Sequence, residues 1–220
     1  MGNEKLKERV GKKAAEFIKG GMTVGLGTGS TVFYLLKELE GKKIKGVCTS
    51  KDTEKKAEKF GIKTADLNDV EKIDIAVDGA DEFDKDLNLI KGGGGALTRE
   101  KNIDYRAEKF IVIVDESKKK EFLGDFGLPV EVMQFSWKHI KKDLEKLGAR
   151  VKRRGGKKPF VTDNGNYILD AQFETILKPA RLEKLINDIP GVVENGIFRK
   201  EKVSIVLMGT ENGVEEFKKN

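Results

Sequence analysis

The string Lys91-Gly92-Gly93-Gly94-Gly95, running into Ala96-Leu97-Thr98-Arg99-Glu100-Lys101, is the most unusual in the chain. Four consecutive glycines cost folding entropy, about 0.5 to 1 kcal/mol each relative to alanine, so a backbone held close to a ligand accounts for them better than an idle linker. A tip chosen only for flexibility needs neither the lysine before it nor the apolar helix start after it. Glu100 falls in the first turn of that helix, where the dipole stabilises an acid whatever its function.

Three further strings set polar groups beside turns. Gly25-Leu26-Gly27-Thr28-Gly29-Ser30-Thr31 offers glycines that let a ligand reach the backbone, with helix-start N–H groups and three hydroxyls as donors for an anion such as phosphate. A capped helix after a tight turn is the competing reading. The string lacks the Gly-Lys-Ser/Thr ending of a Walker A loop, and Ser30 stands where a dinucleotide fingerprint has its last glycine. The next strand runs out as Thr49-Ser50, without an acid to hold a ribose. Val77-Asp78-Gly79-Ala80-Asp81-Glu82 lies where a buried strand emerges, and Asp84 and Asp86 extend its acidity. Its residues leave three readings open: a Mg²⁺ or Ca²⁺ site, carboxylates that hold hydroxyls, or plain turn residues, with a spacing that fails the calcium-loop pattern. Asp115-Glu116-Ser117-Lys118 repeats the arrangement after an apolar strand, and its lysine either reaches a phosphate or faces water.

These strings need elements to position them. Leu6, Val10, Ala14, Phe17 and Ile18 recur at helical spacing until Gly20-Gly21. Strand and helix then alternate: strand 22–26, a helix carrying Val32, Leu35, Leu36 and Leu39, strand 44–48, helix 51–60, a short strand near 62–65 and strand 73–77. A helix over 96–108 leads into the continuous apolar strand 110–114, suited to a sheet covered on both faces. That alternation predicts a parallel α/β domain. Beyond Leu128-Pro129 the pattern changes to strand 130–135, helix 137–147, strands near 160–161 and over 167–173, helix 181–189 and strand 192–198, a small α+β unit. Strand 203–207 is apolar enough to rejoin the first sheet, so residues 1–127 with 201–220 are expected to form one domain and 128–200 an insertion in it.

Composition narrows the function classes. With 220 residues and 38% hydrophobic content the chain can bury an ordinary core. No stretch approaches the length of a membrane span, and the first residues are charged rather than signal-like, so a cytoplasmic address is the expectation. One cysteine, Cys48, and one histidine, His139, exclude a disulfide framework and a Cys/His zinc cluster. The excess of 43 Lys and Arg over 37 Asp and Glu suits several anionic partners. However, basic and acidic residues interleave, and the densest basic run, Lys152-Arg153-Arg154 with Lys157-Lys158, has no aromatic for stacking bases. It reads as a solvated hairpin turn, and neither nucleic acid nor membrane is expected as a partner.

In this order, with Leu128-Pro129-Val130-Glu131-Val132 and Thr162-Asp163-Asn164-Gly165-Asn166 behind them, the strings closely resemble ribose-5-phosphate isomerase of the A type over nearly the whole chain. The resemblance implies a Rossmann-like parallel-sheet domain with an inserted α+β domain of ferredoxin-like type, a homodimer or homotetramer, and a reaction without metal or other cofactor. It also implies conversion of ribose 5-phosphate to ribulose 5-phosphate in pentose phosphate metabolism. Carried over residue by residue, the proton acceptor falls on Glu100, the paired aspartates on Asp78 and Asp81, and the lysine before the glycines on Lys91. Phosphate binding falls on Thr28, Gly29, Ser30, Thr31, Lys118 and Lys7, and the backbone of Gly79, Ala80, Gly92, Gly93 and Gly94 completes the substrate-binding set. The residue types suit that role: an aldose–ketose conversion needs one base that can shuttle a proton, and Lys91 with the N–H groups of Gly92 to Gly94 can stabilise an enediolate. Thr49-Ser50-Lys51-Asp52-Thr53-Glu54 matches the family's threonine-serine loop only in outline. Rival readings are a sugar-phosphate sensor, a metal enzyme built on residues 78–86, and a hydrolase or transferase in which Glu100 is a nucleophile.

Overall fold

The computed structural model describes residues 3–218. In chain order the elements are α1 (Asn3–Ala15), β1 (Thr23–Leu26), α2 (Ser30–Glu38), β2 (Lys45–Cys48), α3 (Lys51–Lys59), β3 (Lys63–Thr64), β4 (Ile75–Asp78), β5 (Glu82–Phe83), β6 (Leu89–Ile90), α4 (Leu97–Asp104) and β7 (Phe110–Asp115). They continue as β8 (Leu128–Val132), α5 (Trp137–Lys146), β9 (Arg150–Arg153), β10 (Tyr167–Gln172), α6 (Pro179–Asn187), β11 (Val192–Asn195), β12 (Ile197–Phe198), β13 (Ile205–Thr210) and β14 (Gly213–Lys218). They fall into two packing units. One runs up to Ala80 and takes in Arg99–Lys119 and the chain from Glu201; the other takes Asp81–Thr98 and Lys120–Lys200.

The first unit is built on a seven-stranded sheet in the order β3-β2-β1-β4-β7-β13-β14. All neighbours are parallel except β13 and β14, which form a hairpin at the edge. Counted along the chain, the six parallel strands have the 3-2-1-4-5-6 order of a doubly wound Rossmann sheet, with its switch point between β1 and β4. The continuous apolar runs of β4 and β7 are wholly buried because helices cover such a sheet on both faces. On α1, Leu6, Val10 and Ala14 are buried on one stripe, as their spacing predicts. Ile103 fixes α4 on the sheet: a Cβ on Gly25 of β1 would lie 2.5 Å from its Cγ2.

The second unit contains two antiparallel sheets. In the larger, β8, α5, β9, β10, α6 and β11 follow one another and the strands lie in the order β11-β8-β10-β9, the ferredoxin-like split βαβ arrangement. Ile140 and Leu144 of α5 and Ile186 of α6 are buried with Val130, Val132, Leu169 and Ala171 of the sheet. The smaller sheet, β12-β6-β5, is made of strands of two residues each.

Several elements differ from the sequence reading, each for a physical reason. The expected strand 192–198 is two strands in different sheets, parted at Gly196, where a Cβ would meet the Lys91 carbonyl oxygen at 2.3 Å. Helix α4 stops at Asp104 rather than near 108 because the chain turns out to bridge Ala107 with Ile73. Residues 160–161 supply a single bridge, Val161 to Tyr167, in place of a strand. Segments 81–98 and 120–127, grouped by the sequence pattern with the first domain, pack in the second unit, because β5 and β6 pair with β12. The basic run 152–158 is only partly a solvated turn: β9 extends to Arg153, whose guanidinium lies 4.6 Å from the Trp137 ring centre and 5.3 Å from that of Tyr167.

Candidate active site

Parallel strands bring their carboxyl ends to one sheet edge, and a ligand crevice opens there at the switch point. β1 ends at Leu26, next to Gly27, and β4 ends at Asp78, so the two strings singled out by sequence meet where this topology binds ligands. Asp78 is fully buried, and its Oδ1 accepts hydrogen bonds from the N–H groups of Thr28 at 3.0 Å and Gly79 at 2.7 Å. Gly27 is demanded by space, since a Cβ there would lie 1.9 Å from that same oxygen.

Beyond Gly27 the chain turns through Gly29, at φ 129°, into α2. Ser30 and Thr31 open the helix, and Lys7 on α1 donates from Nζ to Ser30 Oγ at 2.9 Å, so lysine and hydroxyl stand together at a helix N-terminus. Lys118 lies in a short 3-10 turn just past β7, at the carboxyl end of a strand parallel to β1 and β4. Thr28 differs from its neighbours. Its hydroxyl lies 2.7 Å from Thr49 Oγ1, 2.9 Å from Ser50 Oγ and 3.0 Å from Thr53 Oγ1, and Thr53 in turn donates to the Gly27 carbonyl. The threonine-serine segment therefore buttresses the cradle from behind. Its atypical Lys51 and Asp52 lie exposed in the first turn of α3, and Ser50 caps that helix by accepting from Thr53 N–H. Glu100 also belongs to this unit, buried in the first turn of α4 one helical turn ahead of Ile103.

In the second unit the small sheet positions the rest. Asp81 N–H donates to the Ile90 carbonyl, and Lys91 N–H to the Gly196 carbonyl. The Lys91 side chain is buried, with its ammonium 5.2 Å from the Phe198 ring centre. After Lys91 the glycines make a tight loop in which Gly95 N–H donates to the Gly92 carbonyl at 2.9 Å. Gly92 and Gly95 hold φ values of 99° and 86°, in the left-handed region. The Gly93 N–H donates to Asp81 Oδ2 at 2.7 Å, so of the three glycine N–H groups expected to face an oxyanion this one is engaged by the protein. Those of Gly92 and Gly94 have no hydrogen-bond partner among the described residues, and Gly94 is exposed.

The remaining acids of the second string serve the fold. Glu82 accepts from the N–H groups of Gly124 at 2.9 Å and Phe126 at 2.5 Å, and burial pushes its carboxyl above the usual range despite those two donors. Asp84 accepts from Asp86 N–H, Asn88 N–H and Asn88 Nδ2, which turns both its oxygens to its own loop. No group of three or more His, Cys, Asp or Glu among the described residues is placed to hold a metal ion.

Two residues escaped the sequence reading. Glu131 of β8 is wholly buried and accepts from Thr98 Oγ1 at 2.5 Å, Thr162 Oγ1 at 2.8 Å, Asn164 Nδ2 at 3.1 Å and Asn166 Nδ2 at 2.9 Å. It ties Thr98, at the start of α4, to the Thr162–Asn166 turn. Arg154, expected in water, grips the glycine loop: its Nη1 donates to the carbonyls of Gly92 and Gly93, both at 3.0 Å. The only local signal for either was a charge inside a patterned strand or beside one.

Comparison with known proteins converges on one family. Residues 45–213 match the family model for ribose 5-phosphate isomerase A (phosphoriboisomerase A). The chain is 48% identical to a ribose-5-phosphate isomerase A from Thermococcus kodakarensis over 230 aligned positions covering 100% of both chains. Among solved structures, ribose 5-phosphate isomerase A from Methanocaldococcus jannaschii superposes with a TM-score of 0.93 at 44% identity, covering 99% of this chain and 100% of that one. A D-ribose-5-phosphate isomerase in complex with phospho-erythronic acid superposes with a TM-score of 0.96 at 44% identity, covering 100% of both.

Proposed function

The chain belongs to the ribose 5-phosphate isomerase A family, and on that premise we propose that it interconverts ribose 5-phosphate and ribulose 5-phosphate with Glu100 as the base that moves the proton. The observation that carries this assignment is the burial of Glu100 in the first turn of α4, reached from the buried Lys91 through the glycine loop. Glu100 takes the proton from C2 of the open-chain aldose. The C–H electron pair forms a C1–C2 double bond and the carbonyl electrons move onto O1. Return of that proton to C1, with transfer of the O2 proton to O1 and formation of the C2 carbonyl, completes the ketose. A carboxylate can perform both transfers in turn.

The intermediate carries negative oxygen, so groups that bind it more tightly than the substrate raise the rate. Lys91 supplies charge for that purpose, and the Gly92 and Gly94 N–H groups supply donors. Asp78 and Asp81 hold sugar hydroxyls, each oriented by the backbone N–H groups it accepts from. Ser30, Thr31, Lys7 and Lys118, with the backbone at Gly29, take the phosphate, whose binding fixes the sugar's orientation away from the reacting carbons. The related isomerase complexed with phospho-erythronic acid supports this division, because that molecule joins a phosphate to a carboxylate whose two oxygens resemble those of an enediolate. The enzyme works in pentose phosphate metabolism, and we place it in the cytoplasm as an assembly of two or four copies. No described helix is long and apolar enough to cross a membrane.

Turnover of ribose 5-phosphate, with and without chelator, is the test. Native protein is expected to turn over in both conditions, and Glu100→Gln to lose about 10²- to 10⁴-fold in kcat, the usual share of a positioned base. Binding without turnover in the native protein, or a Glu100→Gln variant within tenfold of it, would overturn the assignment.

A further inference from the structure

Arg154 has an arrangement that a surface arginine does not need. Its guanidinium is forked onto Asp170 of β10, Nε to Oδ2 at 3.1 Å and Nη2 to Oδ1 at 2.5 Å, a bidentate pair that fixes its plane. The remaining terminal nitrogen donates to two successive carbonyls, those of Gly92 and Gly93. Phe160 adds a wall: its ring centre lies 5.9 Å from the guanidinium, and a Cβ on Gly95 would meet the ring at 2.5 Å.

A trans peptide points its C=O and N–H in opposite directions, and no cis bond occurs among the described residues. With the Gly92 carbonyl on Arg154, the Gly93 N–H must face the other way, and it does, reaching Asp81 Oδ2 at 2.7 Å. The same rule applied to the Gly93 carbonyl turns the Gly94 N–H to that Asp81 side. Successive N–H groups facing one side form a concavity suited to an anion. The Gly92 carbonyl also accepts from Gly95 N–H, so it is the Gly93 carbonyl, and with it the Gly94 N–H, that among the described residues only the guanidinium holds, and a four-glycine loop has little intrinsic preference for the orientation.

We propose that Arg154 is a positioning residue for the enediolate site: by holding the carbonyls of Gly92 and Gly93 it aims the exposed Gly94 N–H at the substrate oxygen that becomes negative. This rests on the isomerase reading above. Lysine at position 154 keeps the charge but cannot fork onto Asp170 while bonding both carbonyls.

The test compares native protein, Arg154→Lys, Arg154→Ala, Asp170→Asn and Glu100→Gln in ribose 5-phosphate turnover, with thermal unfolding and binding of phospho-erythronic acid and inorganic phosphate measured alongside. Outright removal of an oxyanion donor costs about 10²- to 10³-fold in kcat; a donor kept but poorly aimed should cost about 10- to 100-fold in Arg154→Lys. KM and inorganic phosphate affinity should stay within about threefold, because only transition-state binding is lost. Phospho-erythronic acid should weaken in step with kcat, Asp170→Asn should shift in the same direction by less, and millimolar methylguanidinium should partly restore Arg154→Ala. Should that alanine variant not fold, the lysine variant decides. Arg154→Lys with native kcat, or with lowered unfolding temperature and raised KM but unchanged kcat, would sink the proposal. A dead Glu100→Gln beside a native-like Arg154→Lys removes this role alone, whereas an active Glu100→Gln removes the assignment of the base.

Discussion

Gly27→Ala separates a requirement for space from one for backbone freedom. Gly27 does not hold a positive φ, so alanine is conformationally permitted there. Its Cβ would nevertheless lie 1.9 Å from Asp78 Oδ1, 2.1 Å from Cγ and 2.6 Å from Cα. The carboxylate can swing aside, but the Cα cannot, and restoring ordinary contact spreads the ends of β1 and β4 by most of an ångström. Overpacking of this kind costs about 1 to 3 kcal/mol. Swinging the carboxylate also deprives the Thr28 and Gly79 N–H groups of their acceptor, and hydrogen bonds to charged groups contribute about 1.5 to 3 kcal/mol each. Partial replacement by water favours the low end of the sum, roughly 4 kcal/mol, a large share of a total stability of about 5 to 15. For a chain of this size that lowers the unfolding temperature by about 8 to 16 °C. A misplacement of about 1 Å at Asp78 should also cost about 100-fold in kcat/KM for ribose 5-phosphate. Calorimetry and initial rates on the purified variant read both quantities. An unfolding temperature within about 3 °C of native together with kcat/KM within about threefold would show that the β1–β4 junction yields far more easily than a close-packed interior should.

Other perturbations probe the frame around the site. Glu131→Gln replaces one acceptor oxygen with a donor facing other donors; chemical denaturation should show a loss of about 2 to 4 kcal/mol, and a loss under about 1 would mean that the hydroxyls and amides re-pair. The Lys72 ammonium, helped by the Thr23 N–H, holds the Asp74 carboxyl below its ordinary value of 3.8. The folded form thus binds that proton less readily than the unfolded chain, so this stability is fully present above that value and lost as pH falls through the lowered one. Asp74→Asn should flatten the acid limb of stability against pH, and an unchanged limb counts against the ion pair. Burial, with Glu54 and Glu58 adding to it, pushes the Cys48 thiol up to about 12. Fewer than about one thiol in a thousand is then ionised at pH 8.5, so iodoacetamide should leave the folded protein unlabelled, and rapid labelling would mean that the site opens.

What could be read in the sequence depended on how far each residue lies from its partners. The helices α1 and α2 follow from apolar spacing and the strands β1, β4 and β7 from short apolar runs, because an element that faces a core carries its own pattern. Asp78, Lys91 and Glu100 stood out for a related reason: each adjoins glycines or a strand end within its own few residues, and the family resemblance rests on the same strings. The two-residue strands β5, β6 and β12 have no period to display, yet they set the backbone of Asp81 and Lys91. β6 and β12 exist through pairing between segments over a hundred residues apart, and β5 only through a hairpin with β6 too short to show a period, so no local pattern encodes them.

Glu131 and Arg154 show the same limit from the side of charge. A glutamate in Leu128-Pro129-Val130-Glu131-Val132 should be costly in a buried strand, and a sequence alone cannot say what repays it. The structure answers with hydroxyls and amides from Thr162, Asn164 and Asn166, which makes the two strings halves of one device and extends it to Thr98, two residues before the proposed base. Arg154 lies in a run whose lysines, Lys152, Lys157 and Lys158, do face solvent, so the average property of the run hid the exception. Both residues act on backbone or side chains that flank the chemistry rather than on the chemistry itself. Substitution at either should therefore leave the site's functional groups in place and alter how well they are aimed, a defect visible in kcat before it is visible in KM.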